Sequence, residues 1–233
     1  MKALNLVIVL AGLILTGIGS DSRAQITMAD DNNCGSLGNK DDYATTSQYG
    51  PYDYTNARHR KEKLPVVERV HFSGEVFRLE RGLTELDPTG DLDYTLRAFP
   101  NHHLALDAMA RLHRQRNANK LPDARYSLRC YFDRARRIAP HDATVNLIEG
   151  IHLFTVGDLD AAEAVLKEGL ALSPQSPEIS YNLGLLYARK KQYEDAVRYA
   201  EIAYGNGYPL PGLRNQLMKI GAWDGEIGDA PPQ

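Results

Sequence analysis

Residues 177–204 read PEISYNLGLLYARKKQYEDAVRYAEIAY, and this stretch decides the fold of the C-terminal half of the chain. Small residues stand at Gly184, Ala196 and Ala203, with large apolar or aromatic residues between them. Ala196 and Ala203 are seven positions apart, so they share one face of a helix. Gly184 lies in the preceding apolar stretch and would let that face approach closely. The pattern therefore predicts two helices that cross at short distance.

The same pattern occurs once more at a fixed distance upstream. Gly150 lies 34 residues before Gly184, and the same step takes Ala196 back to Ala162. A constant period of this length is typical of a solenoid built from helix–turn–helix repeats. Each repeat has an apolar face that it can bury only against its neighbours. We therefore predict stacked helical pairs in this half of the chain.

These residues resemble the tetratricopeptide repeat family. The residues that match its pattern are Gly150, Gly157, Ala162, Leu166 and Pro174 in one repeat, and Leu183, Gly184, Tyr187, Ala196 and Ala203 in the next. The resemblance implies a mainly α fold, a short α-solenoid of about three repeats with a C-terminal capping helix. An irregular N-terminal segment that contains a candidate β-hairpin precedes it.

The chain divides into eight segments on these signals. They are a signal peptide (1–24), an irregular polar and Tyr-rich arm (25–63), an extended segment or hairpin docked on the solenoid (64–100), a divergent repeat with an insertion (101–141), two regular repeats (142–176 and 177–210), a capping helix (211–223) and a disordered tail (224–233). The β-branched, alternating stretch LPVVERVHF predicts a strand that pairs with SGEVFRL. In the capping helix we expect Leu213, Leu217 and Ile220 to point inward.

The N-terminus predicts export. Lys2 precedes an apolar stretch, and Ser22 and Ala24 are the small residues expected before a cleavage site after Ala24. The apolar run at 4–18 is short for the roughly 20 residues of a spanning helix, although an uncleaved anchor is the alternative. We expect an exported, periplasmic bacterial protein with no stable membrane insertion after cleavage.

Two cysteines, Cys34 and Cys130, are present in this exported chain. An even number of cysteines in an oxidising compartment indicates a disulfide, here one that would tie the arm to the helical body. The alternative is a pair of free thiols, with Cys130 buried and Cys34 on a mobile arm.

No sequence motif for a nucleotide, a catalytic nucleophile or a bound metal is present, so we expect no enzyme, no cofactor and no metal. The net charge of −3 gives no reason to expect nucleic acid. His102 and His103 are the best metal candidates, but consecutive helical residues point about 100° apart. Helical packing, with Asn101 at the helix start, is the preferred interpretation.

The family resemblance also implies a binding surface, since its first helices line a concave groove. The corresponding positions are Leu147, Ile151 and Phe154, then Tyr181, Leu185 and Arg189, and in the divergent repeat Met109, Leu112 and His113. Such a largely apolar groove suits an amphipathic helix or an extended peptide. The alternative is that residues 64–100 of the same chain fill it.

We expect a non-enzymatic adaptor that binds a protein or peptide partner of the cell envelope. A glycan-binding protein is one alternative, using Tyr49, Tyr52 and Tyr54 with the basic residues between positions 111 and 137. Those basic residues are also explained by charge complementarity between adjacent repeats. A second alternative is an enzyme whose site, at the junction of the N-terminal segment and the solenoid, uses His102 or His103.

Overall fold

The computed structural model describes residues 34, 35, 37, 49–118 and 120–223 of the 233-residue chain. The described residues form helices and no β-strand, which confirms the mainly α prediction. The helices are α1 (Ala57–Glu62), α2 (Leu64–His71), α3 (Gly74–Arg78), α4 (Thr89–Ala98), α5 (His103–Arg116), α6 (Leu128–Ile138), α7 (Ala143–Val156), α8 (Leu159–Leu172), α9 (Pro177–Arg189), α10 (Tyr193–Gly205) and α11 (Gly212–Lys219). The signal peptide predicted for 1–24 and the tail predicted for 224–233 lie outside the described residues.

The predicted close crossings occur in the α7–α8 and α9–α10 pairs. A Cβ atom added to Gly150 on α7 would stand 2.5 Å from Leu166 Cδ2 on α8, so only glycine fits there without a shift. A Cβ atom added to Gly184 on α9 would likewise overlap the Leu213 side chain of α11, and it would face the backbone of α10. Small residues at the crossings therefore let the helices approach more closely than larger side chains would permit.

Helix ends in these pairs follow the local chemistry of the sequence. Gly157 closes α7 in the left-handed conformation, with φ of 92°. At the start of α7, α8 and α9, the side chains of Asp142, Asp158 and Ser176 accept hydrogen bonds from free backbone N–H groups of the first turn. Such caps each contribute about 1 kcal/mol to helix stability.

The hairpin predicted for the N-terminal segment is wrong, because this segment is helical. LPVVERVH forms α2, whose Leu64 and Val67 are buried while Val66 and Val70 are exposed. Ser73 starts α3 by accepting hydrogen bonds from the N–H groups of Glu75 and Val76. The helical spacing of the buried side chains, together with their contacts to α4, outweighs the β-propensity of the valines.

The N-terminal helices pack on α5 and share a core with it. Phe72, Val76, Leu92 and Leu96 belong to the same apolar cluster as Met109 of α5. The guanidinium group of Arg111 on α5 lies 4.8 Å from the centroid of the Phe77 ring and donates a hydrogen bond to the Phe77 carbonyl oxygen. Helices α3 and α4 therefore cover one side of the first repeat.

A disulfide joins Cys34 to Cys130 of α6, with an S–S distance of 2.03 Å and a Cα–Cα distance of 4.9 Å. The Cys34 carbonyl oxygen also accepts hydrogen bonds from Arg134 and Arg137 on the same helix. The alternative of two free thiols is therefore wrong. The bridge links positions 96 residues apart and fixes the start of the described arm to the helical body.

Helix α11 closes the C-terminal end of the solenoid. Leu213 and Leu217 are fully buried, as expected, whereas Ile220 follows the last residue of the helix and is 46% exposed. The predicted inward orientation of Ile220 is wrong, because the helix ends before it. None of the helices in the described part of the chain has the length and apolarity needed to span a bilayer.

Candidate partner-binding groove

The accessible part of the predicted groove lies on the inner face of α7 and α9. Phe154 and Leu185 are partly exposed there, and Arg189 is exposed. Leu147 and Ile151 are mostly buried, at 6% and 8% exposure, and belong to the core shared by the second and third repeats. The deeper residues form an apolar floor, and the other three present side chains at the surface.

Arg189 and Phe154 connect the two repeats at the C-terminal ends of α7 and α9. Arg189 Nη1 donates a hydrogen bond of 2.9 Å to the Phe154 carbonyl oxygen. The guanidinium group also lies 5.0 Å from the centroid of the Phe154 ring. The same carbonyl oxygen also accepts a hydrogen bond of 3.2 Å from the Gly157 N–H, so Arg189 is its second donor at the end of α7. The contact leaves a cation and a partly exposed ring side by side, which suits a partner with both acidic and apolar groups.

A cavity of about 420 Å³ opens at the other end of the same face, where α5, α7 and α9 begin. Its lining includes His103, Thr144, Leu147, Ser173, Glu178 and Ile179. Hydroxyl, imidazole and carboxylate groups thus surround a floor formed by Leu and Ile. The cavity can accept one anchoring side chain, with polar groups at the rim to orient the ligand.

Tyr181, another predicted groove residue, is covered by the C-terminal part of the chain. Its ring stacks on Tyr208, with centroids 4.1 Å apart, and contacts Tyr204 edge-to-face at 6.3 Å. Tyr181 is 8% exposed, and burial raises the pKa of its hydroxyl. These contacts make Tyr181 part of the packing between α9 and the segment before α11.

The groove positions predicted in the first repeat are buried. Met109, Leu112 and His113 are 0%, 3% and 3% exposed. Met109 and Leu112 lie in the cluster that includes Phe72 and Val76 of the N-terminal segment. His113 Nδ1 lies 2.7 Å from the Ala118 carbonyl oxygen, to which it can donate, and burial lowers the pKa of the imidazole. A partner cannot reach these three side chains without displacing the chain's own residues.

Sequence reasoning missed a polar junction where the arm meets the first two repeats. Asn101 Nδ2 donates to Asp53 Oδ1 at 2.9 Å and to Asp142 Oδ2 at 3.0 Å, while Asn101 Oδ1 accepts from the Tyr54 N–H at 2.8 Å. His103 Nε2 lies 2.8 Å from the same Asp142 oxygen. The sequence signal is the Asn-His-His run at the start of α5, for which the sequence predicts only a helix start and helical packing.

His102, rather than Asn101, is the N-cap of α5. Its Nδ1 accepts a hydrogen bond from the Ala105 N–H, and its Nε2 lies 3.3 Å from Glu68 Oε1. The ring is fully buried between Tyr54 and Phe72, each with its centroid 4.6 Å away. Burial lowers the pKa of His102 and favours the neutral ring. No group of three or more potential metal ligands occurs in the residues that the structure describes.

The tyrosines of the arm point into a small apolar cluster. Tyr49, Tyr52 and Tyr54 pack against a core formed by Leu64, Val67, Ala98 and Phe99. The centroid of the Tyr52 ring lies 5.1 Å from that of Tyr49 and 5.4 Å from that of Phe99. The aromatic surface of the arm is therefore largely used in packing.

Several of the basic residues between positions 111 and 137 have acidic partners within the chain. The pairs are Arg111–Asp107, Arg116–Asp87, Arg136–Glu149 and Arg137–Asp133. The Arg136–Glu149 pair joins α6 to α7, so it links one repeat to the next. The other three pairs lie within α5, within α6, and between α5 and the segment before α4. All four reduce the positive charge presented to a partner.

Comparison with known families locates the match on the same part of the chain. Residues 147–209 match the family described as Tetratricopeptide repeat, and this range runs from the second turn of α7 to the segment after α10. No curated protein matches the chain significantly. The matched range contains both close helix crossings and the accessible groove positions. Residues 147–209 therefore match the tetratricopeptide repeat family, in agreement with the helical pairs described above.

Proposed function

We propose that the protein is a non-enzymatic adaptor that binds a protein or peptide partner in the groove between α7 and α9. Repeats of this family are typical of protein–protein interaction scaffolds, and Phe154, Leu185 and Arg189 lie inside the matched range. Fold alone does not specify a ligand, so the proposal rests on the surface itself.

The observation that carries the proposal is the contrast between the repeats. Phe154, Leu185 and Arg189 remain accessible beside the cavity over Leu147, whereas the first-repeat positions are buried beneath the N-terminal helices. The accessible surface combines apolar contacts with a cation at one end and polar groups at the other. Such a surface suits an amphipathic helix or an extended peptide with one or two apolar anchors.

We further propose that the adaptor works in the periplasm. The Cys34–Cys130 disulfide supports an oxidising compartment, since structural disulfides are rare in the cytosol. The N-terminal sequence, with a cleavage site after Ala24, supports export to that compartment.

The observed contacts favour this adaptor over the two alternatives. Glycan binding would use the faces of Tyr49, Tyr52 and Tyr54, which are engaged with the arm's own cluster. An enzyme at the junction would use His102 or His103, but His102 caps α5 and His103 contacts the Asp142 that caps α7. Both imidazoles therefore have structural partners.

Site-specific photo-cross-linking in intact cells tests the proposal. A photoreactive residue at Leu185 should capture a defined protein, and the same residue at Leu172 should not. Leu172 is the matched control because it is a leucine on the outer helix α8 and is 47% exposed. Capture of the same proteins from both positions would contradict binding in the groove.

A charge substitution then tests the site. Leu185→Glu should abolish capture from a probe at Thr144, because a carboxylate placed on the apolar surface opposes apolar contact. Leu172→Glu should leave capture unchanged. Both variants must melt within a few degrees of the wild type, so that unfolding is not mistaken for lost binding.

A further inference from the structure

Helices α1 and α2 carry an outer surface that neither the groove nor the core uses. Val66 and Val70, one turn apart on α2, are 45% and 43% exposed. Arg69 is three residues after Val66, so the two side chains are neighbours on the helix surface. Lys63 precedes Val66 by three residues and continues the same line. We call these four residues, together with Arg60 and Lys61 of α1, the α1–α2 outer face.

Among the residues that the structure describes, four cations of this face have no acidic partner. Glu62 pairs with Arg58 at 3.1 Å and Glu68 with His102 at 3.3 Å, and the two carboxylate side chains are 46% and 40% exposed. The cations Arg60, Lys61, Lys63 and Arg69 have no carboxylate within ion-pair distance in the part of the chain that the structure describes. Arg60 and Lys63 instead lie 6.0 Å and 5.9 Å from the ring centroids of Tyr54 and Tyr52. Lys61 and Arg69 are exposed and make neither kind of contact among the described residues, so their charges are available to an external anion.

Buried residues on the opposite side of α2 keep Val66 and Val70 at the surface. Leu64 and Val67 are 7% and 1% exposed and pack in the cluster with Phe99. The buried and exposed valines therefore lie on opposite sides of one short helix. Contacts on the inner side fix the rotation of α2, so that Val66 and Val70 remain at the surface.

We propose that the α1–α2 outer face docks the protein on an anionic phospholipid membrane. Exposed aliphatic side chains bordered by lysine and arginine are the pattern of helices that lie in the membrane interface. The long stems of those cations can extend along apolar surface while their charged ends reach phosphate groups. Because the unpaired cations attract anionic headgroups, we assign an anionic membrane as the ligand of this face.

An acidic protein is the competing occupant, and the shape of the face disfavours it. Protein hot spots are typically aromatic or arginine side chains seated in pockets of the partner. Here the apolar groups are two short valines on the outside of a helix. A fluid lipid surface can accommodate them without matching a particular shape.

Flotation of the full chain with lipid vesicles tests the proposal. The probes are vesicles of phosphatidylcholine alone and vesicles of phosphatidylcholine with an equal part of phosphatidylglycerol. We expect binding to the anionic vesicles that weakens as salt rises, because interactions between exposed charges are screened. Binding to pure phosphatidylcholine measures the separate contribution of the apolar stretch at 4–18. Equal binding to both vesicles would overturn the proposal.

Two pairs of variants locate the binding. Lys61→Glu/Arg69→Glu should reduce partitioning onto anionic vesicles by about tenfold or more, at roughly 1 kcal/mol per cation near the surface. The control Lys120→Glu/Lys219→Glu makes the same change in net charge elsewhere and should reduce it much less. Val66→Ser/Val70→Ser should weaken binding, whereas Met218→Ser/Ile220→Ser should not, although Met218 and Ile220 are also exposed.

Other outcomes are equally decisive. Equal losses in the two charge variants would show that net charge acts, and would overturn the assignment to α1 and α2. Binding to polyglutamate through Lys61 and Arg69, without binding to vesicles, would assign the face to an acidic polypeptide instead. Absence of any vesicle binding by a folded wild-type chain would also reject membrane docking.

Discussion

Asn101 donates a hydrogen bond of 3.0 Å to Asp142, and this contact joins the residue before the N-cap of α5 to the N-cap of α7. Both side chains are buried, and Asn101 also holds Asp53 and the Tyr54 N–H of the arm. One amide thus connects three separate parts of the chain: the arm, the first repeat and the second repeat.

Replacing Asn101 with Ala should lower the free energy of unfolding by about 2–3 kcal/mol, because the buried Asp142 and the half-buried Asp53 each lose a donor and the Tyr54 N–H loses its acceptor. Amide hydrogen exchange around Asp53 and Tyr54 should accelerate as well. Urea unfolding and hydrogen exchange measure the two effects. The control is Asn206→Ala, which removes an exposed bond to the Ile202 carbonyl oxygen and should cost little. Equal losses in both variants would contradict the role of the junction.

Gly150→Ala should destabilise the protein by about 1–3 kcal/mol, because the added methyl group would overlap the Leu166 side chain at a close helix crossing. Chemical denaturation measures the loss. Gly205→Ala is the matched control, since nothing lies within 4 Å of its Cβ position. That change should be neutral or slightly stabilising, because alanine favours the helix. A neutral Gly150→Ala would mean that the helices can separate without cost.

Stability should fall on acidification through the His152 imidazole. Burial and the neighbouring Arg114, whose Nη1 lies 3.1 Å from His152 Nδ1, lower the pKa of His152 from 6.5 to about 4. Between these values the unfolded chain binds the proton and the folded chain does not, so the stabilisation is present above pH 6.5 and is lost towards pH 4. From pH 7 to pH 5 this residue should account for about 2 kcal/mol.

The measurement is the free energy of unfolding of the wild type and of His152→Gln at both pH values. The variant should lose less stability than the wild type on acidification. A smaller dependence of the same sign should remain, because burial also lowers the pKa of His102 and His113. An unchanged pH dependence in the variant would contradict the assignment to His152.

Loss of the disulfide should lower the free energy of unfolding by up to about 4 kcal/mol, because the bridge restricts a long loop in the unfolded chain. The comparison is the melting temperature of the wild type, with and without reductant, and of Cys34→Ala. Reductant should lower the melting temperature of the wild type towards that of the variant and leave the variant unchanged. A wild type that melts at the same temperature after verified reduction would contradict this expectation.

The sequence predicted the repeats well because their constraints are local. The small residues at Gly150 and Gly184 report how closely two neighbouring helices pack, and that distance hardly depends on the rest of the chain. The cysteine pair was likewise foreseen from composition and context, although sequence alone could not establish that Cys34 lies within bonding distance of Cys130.

The N-terminal segment was harder to predict because its helices depend on tertiary contacts. The run of valines in α2 suggested a strand, yet Leu64 and Val67 also fit a helix that has one buried side. The cap at Ser73 was a local signal that could have identified α3. Burial of Met109 and Leu112 could not be read from the sequence, because the N-terminal residues that pack with them lie far away along the chain.

The N-terminal helices that pack on α5 also limit the length of ligand that the groove can hold. With the first-repeat positions buried, the open strip consists chiefly of α7 and α9, whose axes should lie roughly 10 Å apart at ordinary packing distances. Two adjacent helices, each about 10 Å across with their side chains, form a strip about 20 Å wide. This width matches about six residues of an extended peptide at about 3.3 Å each. For the proposed adaptor we therefore expect the recognised element to be a short linear motif, and residues added beyond it should gain little affinity from the groove.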